Sequence, residues 1–312
     1  MHHAGYRALG LAYHYHPFSI VEAQLASALS GMRALGIRGL GISMPFKLSV
    51  MPLLDAIDPL AQAIGAVNTI VNQGGRLIGH NTDAYGAVTA LAERTTLSGA
   101  RVLLLGAGGA ARAVAFGVVE AGSRLTIANR DAAKAAELAS QLMRSELLTT
   151  SQARKSDLAT ESGRTFKSAQ LTQAERSGVP KAERGEARGG GVSTHGDETQ
   201  AEHGARGEAR SLPLAALKVS DYDVLVNATS VGMDATPGCP LAVDELSPSQ
   251  LVMDIVYKPL RTELVAACEA RGVPVIHGGR MLLHQAARQF QLYTGQAAPL
   301  TAMDAALSPF LT

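Results

Sequence analysis

Leu103-Leu104-Leu105-Gly106-Ala107-Gly108-Gly109-Ala110-Ala111-Arg112 is an apolar run that breaks into glycines and then into an alanine-rich, helix-forming stretch. Gly106 permits a tight strand-to-helix turn, Gly108 has no side chain to block a pyrophosphate, and Ala111 fills the small third position where helix and strand approach closely. The phosphates then sit on amide hydrogens of a helix opened by Gly109 and Ala110, where the helix dipole also favours negative charge. The stretch reads as a dinucleotide-binding turn. Its flanks agree: residues 101–105 are a buried-strand candidate, 110–120 have helical spacing, and 123–128 form a second strand ending at Asn129-Arg130.

The end of that second strand selects the cofactor. An acidic side chain there accepts from a ribose 2′-hydroxyl and repels a 2′-phosphate, but this chain has Asn129-Arg130. Arg130 can pair with a phosphate and lay its guanidinium over adenine, and Lys134 adds a second cation about one helical turn on. The expectation is NADP rather than NAD. Asp131 opposes it by placing a carboxylate nearby, unless that carboxylate caps a helix over 132–142.

The chain has 312 residues, a hydrophobic fraction of 46% and a formal net charge of +1. This length suits two ordinary domains. The charge offers no basic field for nucleic acid, and 4% aromatic content offers few stacking platforms. No apolar run reaches bilayer length and the first residues lack a signal-peptide pattern, so a cytoplasmic setting is expected. Cys239 and Cys268 are too far apart for a CxxC pair and read as free thiols. His2, His3, His14 and His16 crowd the start without zinc-site spacing, and no metal is expected. The partner is a small molecule, on a monomer or homodimer.

Residues 145–211 are rich in Gly, Ser, Thr, Glu, Gln and Arg and cannot bury enough apolar surface to offset their ordering entropy. They read as a disordered insertion ahead of a strand at 222–226. Strand candidates at 251–256 and 273–277 flank a helix at 262–271, and this alternation predicts a parallel, doubly wound sheet. Upstream lie a helix at 20–35, a strand at 39–42, a helix at 48–61 and a connecting helix at 85–93. The fold class is α/β, with a substrate domain over 1–84, completed by helices in 279–312, and a Rossmann-type domain over 85–278.

Hydride transfer to a carbonyl needs a group that gives a proton to the oxygen, usually Lys or His. The polar points of the first domain are Ser43-Met44-Pro45-Phe46-Lys47, Gly65-Ala66-Val67-Asn68-Thr69 and Asn81-Thr82-Asp83. Each has a plain structural alternative: Asp83 as a helix N-cap, Lys47 as a solvated charge, Asn68-Thr69 as a strand end.

In order, the chain contains PFK (45–47), GAVNT (65–69), NTD (81–83), GAGGAAR (106–112), NR (129–130), NATSVGM (227–233), DIVYKPLRT (254–262) and GGRMLLHQ (278–285). With these motifs it resembles the shikimate dehydrogenase family over nearly its whole length apart from the insertion. The resemblance implies reversible NADPH-dependent reduction of 3-dehydroshikimate to shikimate, toward chorismate and the aromatic amino acids. It implies Lys47 and Asp83 as the catalytic pair, and Asn68, Tyr257 and Gln285 on the substrate hydroxyls, with Ser43 in the place of a family threonine. Gly232 and Met233 would lie beside the nicotinamide, Thr229 and Gly278 would also contact the cofactor, and a helix at 281–293 would return to the first domain.

Two departures stand out. The family's first strand and its carboxylate-binding Ser-x-Ser-Pro segment are missing before Met1, which suggests a truncated amino terminus from a misplaced start and an open sheet edge. Gly41 and Ser43 stand where the family reads Asn and Thr, as in a divergent shikimate dehydrogenase-like branch. The alternatives are therefore an oxidoreductase acting on quinate or an aminated analogue, and a non-catalytic NADP-binding remnant.

Overall fold

The computed structural model describes residues 1–145 and 207–310. Ten strands build two sheets in the described residues. The first sheet contains β1 (Gly39–Gly41), β2 (Ala56–Ile57), β3 (Thr69–Gln73) and β4 (Arg76–His80), in the order β1-β3-β4-β2. Pairing is antiparallel for β1–β3 and β3–β4 and parallel for β4–β2. Gly74 and Gly75 turn the β3–β4 hairpin at φ of 62° and 93°, a region that glycine enters without strain. That hairpin is not among the sequence expectations.

The second sheet is wholly parallel: β5 (Arg101–Leu105), β6 (Arg124–Ala128), β7 (Glu208–Ser211), β8 (Val224–Asn227), β9 (Leu251–Asp254) and β10 (Val275–His277). Its order is β10-β9-β8-β5-β6-β7, so the order reverses beside β5. This is the doubly wound arrangement, and the reversal is where such sheets take ligands. Along the strands side chains alternate between two cores. Val102, Leu104, Val224, Val226 and Met253 face one core, and Leu103, Leu105, Leu225 and Val252 face the other. Burial on both faces explains why β5 is a continuous apolar run.

Helices are α1 (His2–Ala8), α2 (Leu25–Ala34), α3 (Phe46–Ser49), α4 (Pro59–Ile64), α5 (Thr82–Ala92), α6 (Gly109–Glu120), α7 (Ala132–Arg144), α8 (Glu263–Ala270), α9 (Gly278–Thr294) and α10 (Leu300–Leu307). α2 packs Leu25, Leu29 and Met32 on Ile70 and Leu77 of the first sheet. α9 returns from the second sheet: Gly86 of α5 would place a Cβ 2.7 Å from the Met281 carbonyl, so the two helices touch backbone to side. Phe290 of α9 is fully buried with Tyr6, Met303 and Leu307, which joins the two ends of the chain.

Two expectations need correction. The single helix at 48–61 is instead α3, a 3-10 turn (Met51–Leu53), β2 and α4. Pro52 and Pro59 lack the N–H a continuous helix needs, and Asp58 caps α4 with a bond from the Leu60 amide. The insertion expected over 145–211 lies mostly outside the described residues, but its end does not: Glu208–Ser211 is a strand. Among the described residues it pairs only with β6, and its polar composition suits an edge.

Candidate active site

Lys47 and Asp83 meet across the first sheet, with Lys47 Nζ donating to Asp83 Oδ2 at 2.7 Å. Asn81 caps α5 by accepting from the Asp83 and Ala84 amides, so Asp83 sits inside the first turn with its carboxylate free to face the sheet. This corrects the reading of Asp83 as the cap itself. Lys47 is the second residue of the short helix after Pro45, and its carbonyl accepts from the Val67 amide at 2.9 Å. It is no solvated surface charge. Asn68 completes the pair by donating from Nδ2 to Asp83 Oδ1 at 2.7 Å. Asp83 is 5% exposed, so both carboxylate oxygens need these donors.

Asn68, Ser43 and Gln285 line a cavity of about 360 Å³ together with His2, Tyr15 and Gln289. Gly41 is on its wall. A Cβ there would stand 3.0 Å from Tyr15 Oη and 3.5 Å from Gln289 Nε2, so those groups fill the room a larger residue would take. The His2 ring stacks on Tyr15 at 4.4 Å, and burial lowers its pKa to about 4. The rings of His3, His14 and His16 lie 6.2–6.5 Å apart. A shared tetrahedral metal brings rings to about 5 Å, and among the described residues no group of three such side chains is placed to hold one.

At the second sheet Gly106 has φ +112°, and a Cβ there would meet the Ala228 carbonyl at 2.7 Å. By contrast a Cβ on Gly108 or Gly109 would meet nothing within 4 Å, and no side chain caps α6. An open, uncapped helix start fits a pyrophosphate. Asp131 spends its carboxylate as the cap of α7, accepting from the Ala133 and Lys134 amides, while Asn129 donates to the Asp131 carbonyl. Arg130 and Lys134 are exposed beside it, Lys134 with its ammonium 3.6 Å from the Asp131 carboxylate, which leaves Arg130 as the cation best suited to a 2′-phosphate. Thr229 and Gly232 lie on the loop after β8, and Met233 is 42% exposed there.

Three family models match. The shikimate dehydrogenase substrate binding domain covers residues 1–70, shikimate / quinate 5-dehydrogenase covers 89–168, and the shikimate 5'-dehydrogenase C-terminal domain covers 278–307. A shikimate dehydrogenase (NADP(+)) of Moorella thermoacetica is 37% identical over 310 residues, 98% of this chain and 86% of the relative. The chain belongs to the shikimate dehydrogenase family. Among solved structures, the Thermus thermophilus shikimate 5-dehydrogenase in complex with NADP(H) and shikimate is similar at TM-score 0.72 and 29% identity, covering 99% of this chain and 92% of that one. A quinate dehydrogenase from Corynebacterium glutamicum in complex with NAD gives TM-score 0.74 and 28% identity, with 99% and 92% covered.

Two further residues carried over from the shikimate dehydrogenase resemblance, like Lys47 and Asp83, are not on the cavity wall. Tyr257 is 50% exposed on the loop after β9 and is not part of the cavity wall. Gly278 is buried at the start of α9, where a Cβ would fall 2.5 Å from the Ile255 and Val256 carbonyls. Close packing against that backbone leaves no room for a side chain and explains the glycine. Sequence reasoning missed a buried network under the β8 loop. Asp254 accepts from Asn227, Thr262 and the Val256 amide, and burial pushes its carboxyl above the usual range against these bonds. Asn227 in turn accepts from Thr229 and donates to the Val231 carbonyl, which pins the loop carrying Gly232. Polar residues at the ends of apolar strands were the available signal.

Proposed function

We propose that this chain is an NADP-dependent shikimate dehydrogenase that interconverts 3-dehydroshikimate and shikimate, on the path to chorismate. The observation that carries the reading is the Lys47–Asp83 pair, hydrogen-bonded to Asn68 on the wall of a cavity that Ser43 and Gln285 also line. Lys47 gives a proton to the carbonyl oxygen as it becomes an alkoxide, and takes it back in the oxidative direction. Asp83 aims the ammonium. Asn68, Ser43 and Gln285 bind the substrate hydroxyls and fix the ring for attack.

NADPH, when bound, supplies the hydride. Gly106, Gly108, Gly109 and Ala110 would hold its pyrophosphate, Asn129, Arg130 and Lys134 its 2′-phosphate, and Thr229, Gly232 and Met233 its nicotinamide end. In this reading residues 1–84 with 279–312 form the substrate domain, 85–278 form the cofactor domain, and the enzyme works in the cytoplasm with its two thiols free. The test is NADP+ reduction by the purified chain with shikimate and with quinate, alongside Lys47→Ala. Turnover of shikimate that Lys47→Ala abolishes supports the reading, and turnover that survives Lys47→Ala overturns it. The likeness to a quinate dehydrogenase favours quinate as the second substrate, and faster turnover of quinate would reassign the specificity.

A further inference from the structure

Behind the Lys47–Asp83 pair a hydrogen-bonded chain of side chains runs to α9. Gln289 Nε2 donates to Thr69 Oγ1 at 3.0 Å, and Thr69 Oγ1 donates to Asn68 Oδ1 at 2.8 Å. Asn68 Nδ2 donates to Asp83 Oδ1, and Asp83 Oδ2 accepts from Lys47. Every member between Lys47 and the cavity is buried: Gln289 is 7% exposed, Thr69 fully buried and Asn68 1% exposed. Thr69, the middle member, is fully buried and off the cavity wall, so a partner lost there leaves a polar group without a replacement.

The orientation of the Asn68 amide is determined. The Thr82 amide, 2.8 Å from one end of the Asn68 side chain, is only a donor, so that end is Oδ1. The other end therefore carries the N–H that Asp83 needs. Thr69 has one hydroxyl proton. With Gln289 donating to its oxygen, that proton has Asn68 Oδ1 at 2.8 Å and Thr82 Oγ1 at 3.3 Å to choose between, and the shorter bond to Asn68 adds an acceptor contact that holds the amide in this orientation. We infer that Gln289 and Thr69 are positioning residues for the Lys47–Asp83 pair: they fix the Asn68 amide, and through it the carboxylate that aims Lys47. This rests on the assignment of Lys47 and Asp83 made above.

The inference is tested with Thr69→Val, Gln289→Leu, their double variant and Thr69→Ser, measuring kcat and KM with shikimate, NADP+ affinity and Tm. Thr69→Val keeps the shape and removes the hydroxyl, so kcat falls about tenfold while NADP+ affinity holds. Gln289→Leu lowers kcat by a smaller factor in the same direction. The double variant is no worse than Thr69→Val alone, because both changes act through Asn68. Thr69→Ser restores kcat to within about twofold of the parent, since it restores the proton to Asn68. Multiplying losses in the double variant, or a kcat that Thr69→Val leaves unchanged, overturns the inference. A Thr69→Val loss that Ser does not repair, with Tm lowered in proportion, also overturns it by marking a packing role. If the parent chain turns over shikimate and Lys47→Ala does not, the functional reading stands whatever these variants do. If Lys47→Ala matches the parent, that reading falls and takes the inference with it.

Discussion

Lys47 and Asp83 are 36 residues apart in the chain and 2.7 Å apart in space. One lies in the short helix α3 after β1 and the other in the first turn of α5, so only the folded sheet makes them a pair. General acid–base groups of this kind contribute about 10²–10⁴ to the rate. Lys47→Ala should lower kcat by about that factor and leave NADP+ affinity as it was. Asp83→Asn keeps the shape but removes the charge, and should lower kcat by about 10²-fold or more. Titrating NADP+ into both variants by calorimetry separates lost chemistry from lost fold.

Gly106 and Gly108 are two residues apart and predict opposite phenotypes. A methyl on Gly106 meets the Ala228 carbonyl at 2.7 Å in a backbone with φ +112°, so Gly106→Ala should lower Tm and cofactor binding together. A methyl on Gly108 meets no protein atom. Gly108→Ala should keep Tm and weaken NADP+ alone, because the methyl stands where the pyrophosphate approaches. Thermal unfolding with and without NADP+ distinguishes them, and equal Tm losses would refute the phosphate site.

Arg130 is exposed at the end of β6 while the neighbouring Asp131 carboxylate is engaged as a helix cap. Its guanidinium has a 2′-phosphate to pair with in NADP+ and none in NAD+. Arg130→Ala should weaken NADP+ by about 1.5–3 kcal/mol, roughly tenfold to a hundredfold, with NAD+ changed little. Steady-state kinetics with each cofactor gives the ratio, and an equal loss for both would place the 2′-phosphate elsewhere.

How much was legible in sequence follows how local each feature is. The glycine turn was readable because β5, α6 and β6 are contiguous and each follows its own period. Lys47 and Asp83 could be singled out only through the order of several motifs. Taken alone, Asp83 reads as a cap, a role that Asn81 holds. Residues 48–61 misread as one helix because apolar spacing outweighed Pro52 and Pro59. Thr69 and Gln289 lay beyond sequence reasoning, since their hydrogen bond joins residues 220 apart. Asp254 escaped for the same reason, its donors Asn227 and Thr262 lying on other elements.

His2 predicts an acid-sensitive component of stability. Burial is the main cause that lowers its pKa from 6.5 to about 4, helped by the positive amino terminus and His3 and opposed by a hydrogen bond with Gln289. Between those two values the unfolded chain holds a proton on His2 that the folded chain lacks, so stability rises with pH there. The contribution is fully present above pH 6.5 and is lost as pH falls toward 4. A shift of this size corresponds to about 3 kcal/mol. Urea unfolding of the parent and of His2→Gln from pH 7 down to 4 should therefore show the parent losing about 3 kcal/mol more than the variant, whose glutamine does not titrate. Carboxylates destabilise both chains alike and cancel in the difference. Parallel curves would mean that His2 takes up its proton in the folded chain without cost, and that its place against Tyr15 is open to water.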